Sequence, residues 1–475
     1  MKNFDVVVIG GGAGGLFAAS VANVLGAKTV IVEKKRLGGD CTWFGCMPSK
    51  AILKCASVAN LLKRASDFGL SFGASLSVDA SGVLKHVRDV VGEIATHHPN
   101  EVFQKRGIEI IIGAPKFINK NTIEVNDQKI ISKKFIICTG SHPVILPIEG
   151  LNNINYLTNE NIFDLDVLPK SLIVLGGGPI GVELSQALAR LGVKVSIVEM
   201  MDRILFREDK EVAEVLESAL EDDGIDIFSG KKAIKFAENS GLVVVTLEDK
   251  NGKKEEISAE NVLIAVGRAP NLDGLCLEAA GIKYSKKGVD VDAFLRTTNK
   301  GVFACGDISG PYQFSHVAAY QASICVRNAL FIRLAHQKVN YTNVAWATFT
   351  EPELAHLGLT EEEAKAKYSN VKVYRNEYGA SDRAVTDLEK DGLVKIITDK
   401  KGYILGAHIV GAHSSELMQG LLIAKSSRLP LSKIAPMLFI YPTLSELIKK
   451  TSAKTLVEKM GNPVIKYVIN ALKKI

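Results

Sequence analysis

Two cysteines, Cys41 and Cys46, stand in the run Gly38-Gly39-Asp40-Cys41-Thr42-Trp43-Phe44-Gly45-Cys46-Met47-Pro48-Ser49-Lys50. Such a pair can make and break a disulfide, or it can be two unrelated thiols packed as small apolar side chains. The spacing itself matches no zinc or thioredoxin-like motif. In a reducing compartment a disulfide is transient, catalytic or sensing, so nucleotide-binding signals beside the pair would point to thiol–disulfide electron transfer. The other cysteines (Cys55, Cys138, Cys276, Cys305, Cys325) form no C-x2-C pair, and the sequence assigns no metal site.

Those nucleotide signals are present twice. Asp5-Val6-Val7-Val8-Ile9-Gly10-Gly11-Gly12-Ala13-Gly14-Gly15 leads into an apolar helical stretch and then Thr29-Val30-Ile31-Val32-Glu33. Ser171-Leu172-Ile173-Val174-Leu175-Gly176-Gly177-Gly178-Pro179-Ile180-Gly181 leads into a second helix and then Val195-Ser196-Ile197-Val198-Glu199. Each is a strand, a G-x-G-x-x-G turn, a helix, a strand and an acid. The glycines let backbone approach a pyrophosphate, the helix N-terminus supplies amide donors, and the glutamate accepts from a ribose diol. Two dinucleotides on one chain suggest hydride passing between a nicotinamide and a flavin. The cysteine pair follows the first copy, and Ala304-Cys305-Gly306-Asp307 closes a later strand with an aspartate that can accept from a ribityl hydroxyl. In the second copy, Glu199 repels a 2′-phosphate and is followed by Met200 and Met201, which favours NADH over NADPH even with Arg203 and Arg207 nearby.

The elements that must position these groups fit a chain of several domains. It has 475 residues, 47% hydrophobic and 23% charged, with 41 glycines. The net charge of +6 comes without any basic run longer than Lys34-Lys35-Arg36, so no nucleic-acid partner is expected. No apolar run is long enough to cross a bilayer. A strand beginning at Phe4 leaves no room for a targeting peptide, so a cytoplasmic location is expected. Leu242–Ile257 around Asn251-Gly252 and Gly392–Val410 read as hairpins, and Thr360 with Glu363 reads as a capping box.

Taken together these residues resemble the pyridine nucleotide–disulfide oxidoreductases, the family of dihydrolipoamide dehydrogenase, glutathione reductase and mercuric reductase. The matching motifs run from the first glycine loop through the cysteine segment, Thr139-Gly140, Gly176 to Glu183, Gly267-Arg268-x-Pro270-Asn271, Gly306-Asp307 and Pro442-Thr443-x-x-Glu446. The resemblance implies an α/β fold with two Rossmann-like domains, for FAD and for NAD, and a C-terminal α+β interface domain that makes a homodimer. The implied boundaries are 1–148 and 271–342 for FAD, 149–270 for NAD(P), and 343–475 for the interface. It implies that Cys46 faces the flavin, that Cys41 meets the acceptor, and that Lys50 lies near the flavin and pairs with Glu183. The implied FAD-binding set is Gly10, Gly12, Gly14, Gly15, Glu33, Lys34, Gly39, Thr139, Gly140, Gly306, Asp307 and His316, with Cys41 and Lys50 beside it. Gly176, Gly178, Ile180, Gly181 and Glu199 would bind NAD(H), preferred over NADP(H), and Gly267 and Arg268 belong to the implied cofactor-binding set. The implied partner is a small-molecule or small-thiol acceptor.

The pattern breaks on the acceptor side. Disulfide reductases of this family place a histidine before Pro-Thr of the interface domain, aligned by the later glutamate. Here Tyr441 holds that position ahead of Glu446. A phenol is a poor base at neutral pH. Mercuric reductases resemble the chain in this region, yet they carry a C-terminal cysteine pair, and here no cysteine follows Cys325. Trp43 stands where asparagine is common, and Pro179 where glutathione reductase has a gating tyrosine. The acceptor therefore remains a disulfide, a metal ion, a quinone or another oxidant. A non-catalytic, redox-sensing flavoprotein is the alternative from another class. The tail, Val464 to Lys474, reads as an amphipathic helix docked on its own dimer or touching a membrane surface.

Overall fold

The computed structural model describes residues 2–71, 77–97 and 100–473, so Lys474 of the tail lies outside the described residues. The chain forms two compact units, residues 1–176, 233–247 and 254–340 in one, and 177–232, 248–253 and 341–475 in the other.

The first unit is built on a five-stranded parallel sheet, ordered Val302–Ala304, Phe135–Ile137, Val6–Ile9, Thr29–Glu33, Glu109–Ile112. These strands are apolar without alternation because both faces are covered. Val6, Val8, Ile31 and Ile136 pack on one side against the helices Ala13–Val24 and Ser315–Leu330. Val7, Ile9, Val30 and Val32 pack on the other against Phe117, Ile123 and Phe135. The register sets Ile9 beside Val32 and Ile137, and Ile137 beside Ala304. Gly10, Thr139-Gly140 and Gly306-Asp307 therefore all emerge at the carboxyl edge of one sheet, where open α/β folds bind ligands. The strand expected from Phe4 to Ile9 is broken at Asp5. Lys2–Phe4 joins Gln128–Ser132 in a smaller sheet, while Asp5 accepts from Lys28 N and, through its carbonyl, from Ser132 Oγ.

The second unit holds the parallel pair Lys194–Glu199 and Asp226–Ser229, the helices Pro179–Arg190 and Lys210–Asp222, and a five-stranded antiparallel sheet. That sheet is ordered Ala345–Thr348, Glu353–Gly358, Ile404–Gly411, Leu393–Thr398, Lys372–Glu377. One of its faces packs on the helices Ser414–Ser426 and Glu446–Met460 through Leu357, Ile409, Leu421 and Leu447. The Gly392–Val410 hairpin is present, and the capping box at Thr360–Glu363 has both of its hydrogen bonds. The strands Leu242–Asp249 and Lys254–Ala259 flank the Asn251-Gly252 turn, which Asp249 N–H closes onto Lys253 O. The tail helix, Pro463–Leu472, has no buried residue.

Candidate functional site

The first glycine loop is held by sterics. Gly10 sits at φ +103°, and a methyl on Gly15 would lie 1.9 Å from Gly10 O, so only hydrogen fits between strand and helix. The helix Ala13–Val24 starts at Gly12 with no side-chain cap and no acid in its first turn, leaving its amide donors for an anion. Glu33 accepts from Gly11 N at 2.6 Å and from Lys35 N at 2.8 Å. The second loop repeats the device: Glu199 accepts from Gly177 N and Met201 N, both at 2.7 Å, and helix Pro179–Arg190 begins at an uncapped Gly178. Each carboxylate stays an acceptor with lone pairs to spare for a ribose diol. Ile180 is partly exposed at the start of that helix.

The cysteine segment is docked on the first loop. Gly38 N–H donates to Gly11 O, and a methyl on Gly39 would come within 2.5 Å of Gly12 Cα. Trp43 secures this turn: its indole N–H donates to Leu37 O at 2.7 Å, and the Arg36 guanidinium lies 3.6 Å from the ring centroid. Cys41 belongs to the short helix Gly39–Trp43, and Cys46 opens the helix Cys46–Lys63. That helix start has no side-chain cap and no acid in its first turn, which favours a thiolate.

Both cysteines are free thiols sharing a proton. The hydrogen bond from Cys46 holds the Cys41 thiol down to about 6 against burial, with Ser315 also donating. As donor, and through burial, Cys46 is pushed up, with Lys50 and Ser315 opposing. The pair therefore presents one thiolate at neutral pH. With the protein reduced, the iodoacetamide reaction of Cys41 should reach half its plateau rate near pH 6, since the reactive thiolate appears as pH rises through that value. Ser315→Ala should move the midpoint upward, which a stopped-flow alkylation profile will show. Lys50 Nζ donates to Ser49 Oγ at 3.3 Å. Glu183, buried in the second unit, accepts from Phe349 N at 2.9 Å.

Around the cysteines the first unit converges a polar group that sequence motifs only partly mark. Arg268 donates to Ser141 Oγ (2.8 Å), Ser141 O (2.9 Å) and Asn159 Oδ1 (3.2 Å), and pairs with Asp40 at 3.2 Å. Ser141 Oγ also donates to Asp307 Oδ2 at 2.5 Å, and burial raises the Asp307 carboxyl. Thr139 and Asn271 exchange hydrogen bonds across Gly140, which sits at φ +69°. Gly267, at φ +130°, accepts from Val144 N. Gly306 N–H donates to Gln321 Oε1, and His316 stacks on Phe314. Ser315, Asp40, Ser141 and Asn159 were not legible as site residues. The only sequence hint to Ser315 is its place directly before His316. Three scattered cysteines meet in the hydrophobic core of the same unit: Cys138 and Cys305 are buried with sulfurs 3.3 Å apart, and Cys325 donates to Ala304 O.

These features fit the FAD cradle expected of the first unit: glycines that no Cβ could replace, an uncapped helix start, a ribose carboxylate, and a buried acid at Asp307 beside the cysteine helix. In the second unit Tyr441 is 64% exposed and donates its hydroxyl to Asp382 Oδ2 at 2.9 Å, which raises its pKa. Glu446 begins the helix Glu446–Met460, and its Oε2 is buried without a hydrogen bond. Among the described residues no helix is long and apolar enough to cross a membrane.

Known proteins match this arrangement. The profile of the pyridine nucleotide-disulphide oxidoreductases covers residues 4–322, and that of their dimerisation domain covers 344–452. The chain is 34% identical to a mercuric reductase of Bacillus cereus over 94% of its length and 70% of the relative's. It is also 34% identical to a dihydrolipoyl dehydrogenase of Rhizobium etli, over 94% of its length and 97% of the relative's. Among solved structures, the Cu(II) complex of the HOCl-induced flavoprotein disulfide reductase RclA from Escherichia coli superposes with a TM-score of 0.85 at 26% identity, covering 96% of this chain and all of that one. The chain thus belongs to the pyridine nucleotide–disulphide oxidoreductases, enzymes that use FAD and a nicotinamide nucleotide, and it carries their dimerisation domain.

Proposed function

We propose that this enzyme passes electrons from NADH to the Cys41–Cys46 disulfide and on to an acceptor that a thiolate can attack without general-base help. The carrying observation is the shared-proton pair: Cys41 is a thiolate at neutral pH, while the residue in the base position, Tyr441, is a hydrogen-bond donor tied to Asp382. FAD, when bound, supplies the two-electron relay between nicotinamide and disulfide. The balance is simple. One hydride equivalent from NADH opens the disulfide, two electrons go to the sulfurs, and its proton stays on Cys46 while Cys41 leaves as thiolate. Oxidation of the pair by an acceptor then re-forms the S–S bond and releases that proton.

Residues 1–148 with 271–342 would hold FAD through Gly10, Gly12, Gly14, Gly15, Glu33, Lys34, Gly39 and Asp307. Residues 149–270 would hold the nicotinamide nucleotide, and 343–475 would form a homodimer. Cys46 would face the flavin with Lys50 near it, paired with Glu183. Soft metal ions and electrophilic oxidants suit this site better than lipoyl or glutathione disulfides, whose leaving thiolate needs a proton. The mercuric reductase and the Cu(II) complex of RclA agree with that order and the equally similar dihydrolipoyl dehydrogenase does not, so the order rests on Tyr441.

The test is an anaerobic titration followed by an acceptor panel. NADH should bleach the flavin and deliver four electrons per subunit. Because the Glu199 carboxylate, held by Gly177 N and Met201 N, would meet the ribose, kcat/KM for NADPH should be lower by about 10²-fold, the cost of setting a phosphate against a carboxylate. Hg(II), Cu(II), hypothiocyanite and quinones should then outpace lipoamide and glutathione disulfide. Failure of NADH to bleach the flavin, or fastest turnover with a disulfide, would remove this reading.

A further inference from the structure

The antiparallel sheet of the second unit carries a row of opposed side chains: Trp346 faces His356, His356 faces His408, His408 faces Lys395, and Lys395 faces Arg375. Directly opposed residues share a face, and above this row runs the segment Glu208 to Glu211. At one end the row is an ion cluster in which Lys395 bonds Asp209, Glu211 and Glu361, and Arg375 bonds Glu211 and Glu361. The other end differs in kind. His356 Nδ1 is 2.8 Å from Glu208 Oε2, and Trp346 Nε1 donates to Glu208 Oε1 at 2.7 Å. All three of Glu208, His356 and His408 are buried, and one ligand atom from each lies within 4.8 Å of the others.

The hydrogen bonds fix which atoms are available. His356 Nε2 lies 2.8 Å from Gly358 O and His408 Nε2 lies 3.0 Å from Leu359 O. A carbonyl only accepts, so each ring carries its proton on Nε2 and turns the Nδ1 lone pair inward. His356 Nδ1 then meets a carboxylate oxygen, two lone pairs that need a cation between them. A proton would satisfy that pair. It would leave His408 Nδ1, which is buried with no hydrogen-bond partner among the described residues, still unanswered. A metal ion answers both. Each donor is also held from behind, His356 by Gly358 O, His408 by Leu359 O and Glu208 by Trp346, the outer shell that ligating side chains require.

We propose that Glu208, His356 and His408 bind a divalent first-row metal ion through one carboxylate oxygen and two imidazole Nδ1 atoms. Two histidines and a glutamate are borderline donors that suit Zn(II), and they also accept Cu(II) or Co(II). Glu208 lies between strand Lys194–Glu199 and helix Lys210–Asp222, so the ion would fasten that nucleotide-side segment to the C-terminal sheet of the same unit. This site is separate from the cysteine pair and does not depend on the acceptor proposed above.

The test uses FAD-loaded, chelator-treated Cys41→Ser/Cys46→Ser protein, in which the redox dithiol cannot bind the probe. Calorimetry with ZnCl₂ should give one ion per chain and a metal-dependent rise in Tm. Co(II) should give visible d–d bands without the near-ultraviolet thiolate band that the buried cysteines would cause. His408→Gln and Glu208→Gln, each shown to be folded by flavin retention and circular dichroism, should weaken Zn(II) binding at least 100-fold and abolish the Tm rise. The proposal is overturned by any of three results: no stoichiometric ion in the parent, a thiolate signature with Co(II), or unchanged affinity in whichever of the two variants folds.

Discussion

Cys46→Ser should leave NADH able to bleach the flavin but lower acceptor turnover by a factor on the order of 10³ or more, as loss of a covalent redox group does. The argument runs through the shared proton. Cys46 is the donor that holds Cys41 as a thiolate, and it is also the sulfur with which Cys41 must re-form a bond. A serine at 46 keeps a weaker donor and removes the second sulfur entirely. Titration with NADH should then take up two electrons per subunit instead of four, because only the flavin remains to be reduced. The companion Cys41→Ser separates the roles of the two thiols. It should lose turnover equally, yet gain a long-wavelength thiolate–flavin band if Cys46 is the flavin-facing sulfur, because Cys46 no longer donates its proton to Cys41 and Lys50 favours its thiolate, whereas Cys46→Ser should show no such band. Retention of a tenth of parental turnover in both variants would mean that electrons bypass the pair.

The parts of this site that were legible in the sequence are those whose physics is local. A positive φ at Gly10, the close approach of Gly15 to Gly10 O, and the carboxylates of Glu33 and Glu199 bonding back to Gly11 and Gly177 all arise within one strand–turn–helix–strand unit. The spacing of a few residues is enough to state them. The cysteine helix was legible for the same reason, since Cys46 and Lys50 lie one turn apart.

What stayed hidden depends on register between distant strands. Ser315 reaches the cysteines because helix Ser315–Leu330 packs on the first glycine-loop helix. Arg268, marked by its motif only as cofactor-binding, spends its donors on Ser141 and Asn159 and pairs with Asp40, tying the cysteine segment to the Asp307 loop. The break at Asp5 could not be read from Phe4 to Ile9, because both neighbours that separate the two strands, Lys28 and Ser132, come from elsewhere. The row from Trp346 to Arg375 is invisible for the same reason: its five members come from five strands, and only the pairing of those strands lines them up.

Tyr441→His should raise reduction of lipoamide or glutathione disulfide by about 10- to 100-fold, part of the 10²–10⁴ that a well-placed acid–base group contributes. Tyr441 cannot supply that help itself. Its hydroxyl donates to the Asp382 carboxylate, and this bond raises its pKa further above neutrality, so it neither accepts a proton nor gives one up readily. The scaffold for a base is nevertheless present. Glu446 Oε2 is buried without a hydrogen bond at the start of the helix that follows, a carboxylate oxygen with the capacity to hold an imidazole N–H and fix its tautomer. Two further variants locate the effect. Tyr441→Phe should leave reduction of Hg(II) or Cu(II) within about threefold of parental, because a thiolate needs no base to meet a soft metal, and a phenyl ring removes only a surface hydrogen bond. Glu446→Gln added to Tyr441→His should cancel most of the gain, since an amide aligns the ring but does not stabilise the imidazolium that forms during proton transfer. The gain should also add a second pH dependence near the ordinary histidine range, beside the thiolate midpoint that the parent shows near pH 6. If the disulfide rate does not move when histidine enters at 441, then the missing base does not set the acceptor preference.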